Sequence, residues 1–251
     1  MAFKLSNLRL YFRLLYQFVI SVKKPCNAIF LDSDETIAEI LNKRKSFIRL
    51  GDGEFDILEG KSIHYQIFND KLKRDLNMII DTYLTDSYDC NYLLGMPNKY
   101  LINCGWSLLS SKSKLISWAH TRYYFQKNFD LNVIYGDSFL FGKGRDDVYS
   151  VLWKRDKINN IIFVHNDKKY ALYFKNKYKI NVKFIKVPSR NAYEKIDEIV
   201  KNIIDLNYYN EQGTQILISA GPAGKVISFM LAEQGAWVID TGHCWDEPLE
   251  E

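Results

Sequence analysis

The chain has 251 residues, 47% of them hydrophobic and 15% aromatic, which excludes a disordered tail, a collagen-like repeat and a disulfide-stapled miniprotein. Its 34 Lys and Arg against 30 Asp and Glu give a formal charge of +4, but residues 1–31 hold five of the basic side chains (Lys4, Arg9, Arg13, Lys23, Lys24) and no acid, so residues 32–251 sum to −1. A near-neutral body argues against nucleic acid as a partner. Four cysteines (Cys26, Cys90, Cys104, Cys244), without CxxC or metal-finger spacing, fit a reduced, cytoplasmic setting.

In chain order, Leu5, Leu8, Phe12, Leu15, Val19 and Val22 fall at alternating steps of three and four, the pattern of one helical stripe. Arg13 and Gln17 interrupt the apolar run, which argues against a bilayer-spanning helix, and no small-residue cleavage site precedes Lys23-Lys24-Pro25. Two readings stay open. The helix lies on the inner face of an anionic membrane, giving peripheral contact through residues 1–24, or it packs on the core or a partner subunit. Residues 1–31 are read as a basic amphipathic extension and 32–251 as the main domain.

Asp32 to Glu35 has the form of a capping box, with a helix continuing over 36–45, followed by a strand over 46–50. Gly51-Asp52-Gly53-Glu54 comes next. In an extended or turning backbone, residues two apart point the same way, so Asp52 and Glu54 present oxygens to one point. Gly51 and Gly53 remove the Cβ on either side and permit close approach. Paired carboxylates repel unless a cation lies between them, and Mg²⁺ or Mn²⁺ completed by water and phosphate oxygens suits such a pair. Arg49 adds a bidentate phosphate contact. The alternative is a solvated acidic turn in which Asp52 caps the next helix.

Further strands are predicted over 92–96, 131–135, 160–165, 182–187, 215–220 and 236–240, and helices over 71–84, 147–154, 168–177, 192–206 and 223–234. The Trp- and Ser-rich stretch 103–127 is ambiguous and is read as helix. Strands separated by helices imply a Rossmann-like α/β fold, a mostly parallel sheet with helices on both faces, and ligands beyond the carboxyl ends of the strands. Gly221-Pro222-Ala223-Gly224-Lys225 follows one such strand and opens a helix, offering backbone N–H groups to an anion. It is neither a P-loop nor GxGxxG, and a tight strand-to-helix joint without a ligand is the alternative. Thr241-Gly242-His243 follows the last strand, where an imidazole serves as ligand, donor or base, or simply as a satisfied polar residue.

Taken together and in order, Phe47 to Glu54, Val187 to Tyr193 with Ile196 to Ile199 after it, Leu217 to Ala223, and Ile239 to His243 resemble the GT-D-type glycosyltransferases, formerly the domain of unknown function DUF1792. The resemblance covers about residues 34–247. It implies a Rossmann-like GT-D fold, a nucleoside-diphosphate sugar donor and a DxE motif that engages a divalent metal. By position, Asp52 and Glu54 are that DxE and Arg49 is the arginine before it. Asn191 matches the asparagine of a Lys-Asn-Ala-Phe-like stretch, Gly221 and Pro222 the Gly-Pro turn, and Gly242 with His243 the Gly-His ending. The chain departs from the family pattern at His165-Asn166-Asp167 and in the tail after His243.

The expectation is therefore a metal-dependent glycosyltransferase that moves a sugar from a nucleoside diphosphate to a hydroxyl of a cell-surface glycan or glycoprotein, as in polysaccharide biosynthesis. Asp52, Glu54 and His243 are expected in catalysis, with Asp52 and Glu54 as metal ligands. Arg49, Gly51, Gly53, Asn191, Gly221 and Pro222 are expected around the donor. A second reading is a catalytically silent nucleotide-binding module docked on a membrane-associated glycan-assembly complex.

Overall fold

The computed structural model describes residues 5–22, 28–102, 105–129, 132–141, 145–154, 158–242 and 244. In order the elements are α1 (Leu5–Val22), β1 (Ile29–Phe30), α2 (Ser33–Asn42), β2 (Ser46–Arg49), α3 (Asp52–Leu58), α4 (Asp70–Thr85), β3 (Tyr92–Met96) and α5 (Asn98–Leu101). A 3₁₀ turn (Gly105–Ser110) leads into α6 (Lys112–Asn128), then β4 (Ile134–Asp137), α7 (Asp146–Leu152), β5 (Asn160–His165), α8 (Lys168–Tyr178) and β6 (Asn181–Lys186). A second 3₁₀ turn (Ala192–Lys195) precedes α9 (Ile196–Ile204), β7 (Thr214–Ile218), α10 (Gly221–Ala232) and β8 (Val238–Asp240).

Local chemistry sets these boundaries. Asp32 Oδ1 accepts from the Glu35 N–H at 2.8 Å while Glu35 Oε2 accepts from the Asp32 N–H at 2.9 Å, so the capping box starts α2 as expected. Asn69 and Asp167 start α4 and α8 in the same way, with side-chain oxygens accepting from the first turn. Every residue of β3, β7 and β8 is buried. Successive strand residues point to opposite faces, so both faces of the sheet are covered there.

The eight described strands form one sheet in the order β1-β4-β3-β2-β8-β7-β5-β6, parallel at every pairing. The chain leaves β2 toward β3 and β4, crosses to β5 and β6, and returns through β7 to β8, which pairs with β2. The winding thus changes direction between β2 and the β8–β7 pair, where a parallel sheet opens a crevice at its carboxyl end.

Three details differ from the sequence reading. The sheet reaches back to Ile29–Phe30, paired with β4, so a domain start at Asp32 cuts off its edge strand. A two-residue strand carries too little pattern to be read beforehand. Within the stretch 103–127, the described residues form the 3₁₀ turn and α6, and α6 has little amphipathic pattern because it is covered on several sides, by α1, α3 and α5. Finally, α1 packs against α6 and the 3₁₀ turn through Leu14, Phe18 and Val22, with Gln17 and Ser21 also buried, whereas Phe12, Leu15 and Val19 of the expected stripe face outward. Fully buried Arg122 of α6 fixes this packing. Its Nε donates to the Ser21 carbonyl at 3.0 Å, and its Nη1 donates to the carbonyls of Tyr100 and Leu101 at 2.9 Å each.

Candidate active site

A cavity of about 630 Å³ opens beyond the carboxyl ends of β2, β5, β7 and β8. Arg49, Gly51, Asp52, Gly53, Glu54, Gly221 and Gly242 all line it, so the loops singled out in the sequence converge on one place.

Gly51 has extended backbone and precedes α3, which places Asp52 and Glu54 in the first turn of a helix rather than in an extended exit from β2. The spacing of two therefore has a different consequence. Glu54 curls back, its Oε2 accepting from the Gly51 N–H at 2.9 Å, and is buried. Asp52 stays partly exposed, with Oδ1 accepting from the Gly53 N–H at 3.0 Å.

A cation does lie between two carboxylates, but it is the protein's own. Lys225 Nζ stands 3.4 Å from Glu54 Oε1 and 3.0 Å from Asp240 Oδ2. All three side chains are buried. Burial pushes the Lys225 ammonium down, but the carboxylates of Asp240 and then Glu54 outweigh it and hold its pKa above the ordinary lysine value. Lys225 is therefore charged at neutral pH. Asp240 is tied further, accepting from the Arg49 backbone N–H at 3.3 Å and from the Gly242 N–H at 3.1 Å.

Arg49 closes the same side of the cavity. Its Nη1 donates to the Ser138 carbonyl at 2.7 Å, its guanidinium lies 5.7 Å from the centre of the Phe141 ring, and its Nε is buried with no hydrogen-bond partner among the described residues. Gly242 makes room for it: at φ +54° it adopts a left-handed backbone, and a Cβ there would fall 1.6 Å from Arg49 Nη2. Gly221, at φ +56°, plays the same part for Tyr65, whose ring a Cβ would meet at 2.6 Å. Burial, then the Glu54 carboxylate, raise the Tyr65 hydroxyl to about 12, so it stays protonated beside the acidic cluster.

Other expected residues lie differently. Asn191 does not line the cavity. Its Oδ1 accepts from the Ile67 N–H at 2.9 Å and its own N–H donates to the Tyr65 carbonyl at 2.9 Å, so it clamps the loop that carries Tyr65. Pro222 is buried in the first turn of α10, has no N–H to offer, and does not line the cavity. His243 falls outside the described residues.

Sequence reasoning missed Lys225, Asp240 and Tyr65. A signal for Lys225 was present, since Gly221 and Lys225 are one helical turn apart and share a face. Asp240 ends the last strand beside Gly242. Tyr65 carried no local signal, because a clamp from residue 191 positions it.

Among the described residues no group of three or more His, Cys, Asp or Glu is gathered to hold a metal. What the site offers a divalent cation is Asp52 with acceptor capacity to spare, and Glu54 Oε1, whose 3.4 Å separation from Lys225 exceeds a normal hydrogen bond. Two hard oxygen donors fit a cation that keeps water and substrate phosphate oxygens around it, not an all-protein cage.

Residues 47–248 match the family described as glycosyltransferase GT-D fold. Glycosyltransferase GlyD of Streptococcus pneumoniae serotype 4 is 23% identical across 88% of this chain, which spans only 28% of that protein's length. A solved structure described as the highly conserved domain of unknown function 1792 with a distinct glycosyltransferase fold aligns at a TM-score of 0.72 and 24% identity, covering 92% of this chain and 83% of that one. A second, described as a new glycosyltransferase (DUF1792) from Streptococcus sanguinis, aligns at 0.67 and 23% identity, covering 88% and 83%. At such identities the two structures speak to the fold. The family match spans well over half the chain and contains the whole lining of the cavity, so the chain belongs to the glycosyltransferase family of GT-D fold.

Proposed function

We propose that the cavity binds a nucleoside-diphosphate sugar and transfers its sugar to a hydroxyl of a cell-surface glycan or glycoprotein acceptor. The observation that carries this reading is the unsatisfied Nε–H of Arg49, a buried donor on a guanidinium that lines the cavity. A buried donor without a partner is costly, and a phosphate oxygen would satisfy it. The start of α10 supports the same reading: it lines the cavity at Ala220 and Gly221, has no side-chain cap, and carries no acid in its first turn, which favours an anion there.

Each residue then has a defined task. Arg49 holds a phosphate oxygen of the donor. Lys225 fixes Glu54 and offsets its charge so that a substrate with two negative phosphates is tolerated nearby. Asp52 and Glu54 would hold Mg²⁺ or Mn²⁺, which when bound supplies neutralising charge for the departing diphosphate. Tyr65 keeps a hydroxyl donor at the floor. Trp118, Phe139 and Phe141 give the cavity an aromatic wall for a base or sugar ring. We place the reaction in a reducing compartment, with Cys90 as a free thiol.

The test uses the Glu54→Gln variant, which keeps the shape of the side chain and removes its charge. Transfer should fall at least about a hundredfold while the far-UV spectrum and the urea transition remain those of a folded protein. Wild-type turnover should also vanish with a chelator and return with Mn²⁺. A wild-type protein that binds nucleotide yet turns over no donor at any metal concentration would make the site a silent binding module.

A further inference from the structure

We propose that the outward face of α1, together with the 3₁₀ turn Gly105–Ser110, is a docking surface for an anionic lipid bilayer. The surface is assembled from two distant parts of the chain. On α1, Phe12, Leu15, Tyr16 and Val19 form one stripe at helical spacing, each 55–64% exposed. On the 3₁₀ turn, Trp106 and Leu109 are each 55% exposed. The two parts touch, since the Phe18 and Trp106 rings lie 6.0 Å apart and edge to face. Ile116, near the start of α6, is also exposed.

Single exposed apolar side chains are ordinary, but a contiguous set on two packed elements marks an interaction face. α1 is not a loose tail that merely lacks a partner. Its other face is already seated on α6 through Leu14, Phe18 and Val22, and Arg122 ties its last turn to the body. The stripe left outside is the more apolar of the two, whereas the buried face contains Gln17 and Ser21. Hydrophobic packing within one chain alone would place them the other way round.

Charge identifies the occupant. Residues 1–31 hold five basic side chains and no acid, and residues 90–129, which contain α5, the 3₁₀ turn and α6, hold five more (Lys99, Lys112, Lys114, Arg122, Lys127) and again no acid. The rest of the chain carries 24 basic against 30 acidic residues. Among the described side chains, Arg13, Lys99 and Lys127 are exposed on α1, α5 and α6, elements whose sequence holds no acid, so the lobe that carries the apolar face is positive. A second copy of the chain would bring the same positive lobe against this one and be repelled. A bilayer with anionic headgroups meets both features, accepting the aromatic and aliphatic side chains at its interface and attracting the basic rim. No described helix is long and apolar enough to cross a membrane, so contact is with the surface. α6 also carries Trp118 at the wall of the cavity, which puts the docked surface beside the site.

The full-length protein is mixed with vesicles of neutral phosphatidylcholine, or of the same lipid with about 30 mol% phosphatidylglycerol, and bound protein is separated by flotation. Binding should be at least about tenfold stronger on the anionic vesicles and should weaken with added salt. The double variant Trp106→Ser with Leu109→Ser, and separately Arg13→Glu with Lys99→Glu, should each reduce binding about tenfold while a cooperative urea transition is retained. These side chains lie outside the candidate site, so turnover of soluble substrate should be unchanged. The proposal is overturned if neither vesicle binds, if both variants bind as the wild type does, or if light scattering shows a dimer that the Trp106 and Leu109 substitutions dissociate.

Discussion

Among the described residues two cations are buried, Lys225 in the site and Arg122 beneath α1, and their surroundings differ in kind. The described partners of Arg122 are backbone carbonyls from α1 and from α5, three dipoles that a planar guanidinium reaches at once. Those of Lys225 are two carboxylates, one on each side. The first arrangement joins elements. The second stores opposite charges next to a cavity, where a substrate changes the balance. Burial of a cation alone does not mark a functional site; the nature of its counter-groups does.

The largest effect should come from Lys225→Met. It leaves Glu54 and Asp240 buried without their cation, and breaking such a cluster costs about 3–5 kcal/mol. Urea denaturation would measure the loss, and Asp240→Asn in the same background should recover part of it. A loss below about 1 kcal/mol would mean that the carboxylates do not depend on Lys225. The pH dependence sharpens the point. The folded pKa of Lys225 is raised above its unfolded value of 10.5, so its contribution is complete below pH 10.5 and disappears as pH rises through the folded value. Wild-type stability should therefore fall in the alkaline range through a component that the methionine variant lacks.

Arg122→Met tests the other side. Orphaning the carbonyls of Ser21, Tyr100 and Leu101 should cost about 2–3 kcal/mol. The folded fraction should keep its thermal shift with a nucleoside-diphosphate sugar, since Arg122 does not line the cavity. Loss of that shift along with stability would erase the distinction between the two cations.

The alternating pattern made most of the sheet and its helices legible, because parallel strands buried on both faces read as apolar runs such as 160–165 and 214–218. The cavity was legible as a set of loops, since residues after each strand converge at one edge. What escaped were relations set by tertiary contact. Glu54 was visible as an acid two residues from Asp52, yet its partner is Lys225, 171 positions away in the chain. Asn191 was placed near the donor by its match to the family pattern, but its task is to clamp the 63–67 loop from the far half of the sheet. The stripe on α1 was read correctly as apolar, while which face turned inward depended on Arg122 and α6, which no local pattern reveals.

The smallest effect separates backbone strain from site geometry. Gly242→Ala puts a methyl 1.6 Å from Arg49 Nη2, so the guanidinium must leave its place. At φ +54° the substitution also strains the backbone, and roughly 1–2 kcal/mol should be lost in the urea transition. Gly235 provides the control, because it too has a left-handed backbone, at φ +81°, but nothing lies within 4 Å of its Cβ position. Gly235→Ala should show a similar strain cost and unchanged affinity for the donor. Gly242→Ala should weaken donor binding about tenfold in addition, about 1.4 kcal/mol. If both alanines bind donor equally well, Arg49 is a structural arginine like Arg122, and the contrast between the two regions rests on Lys225 alone.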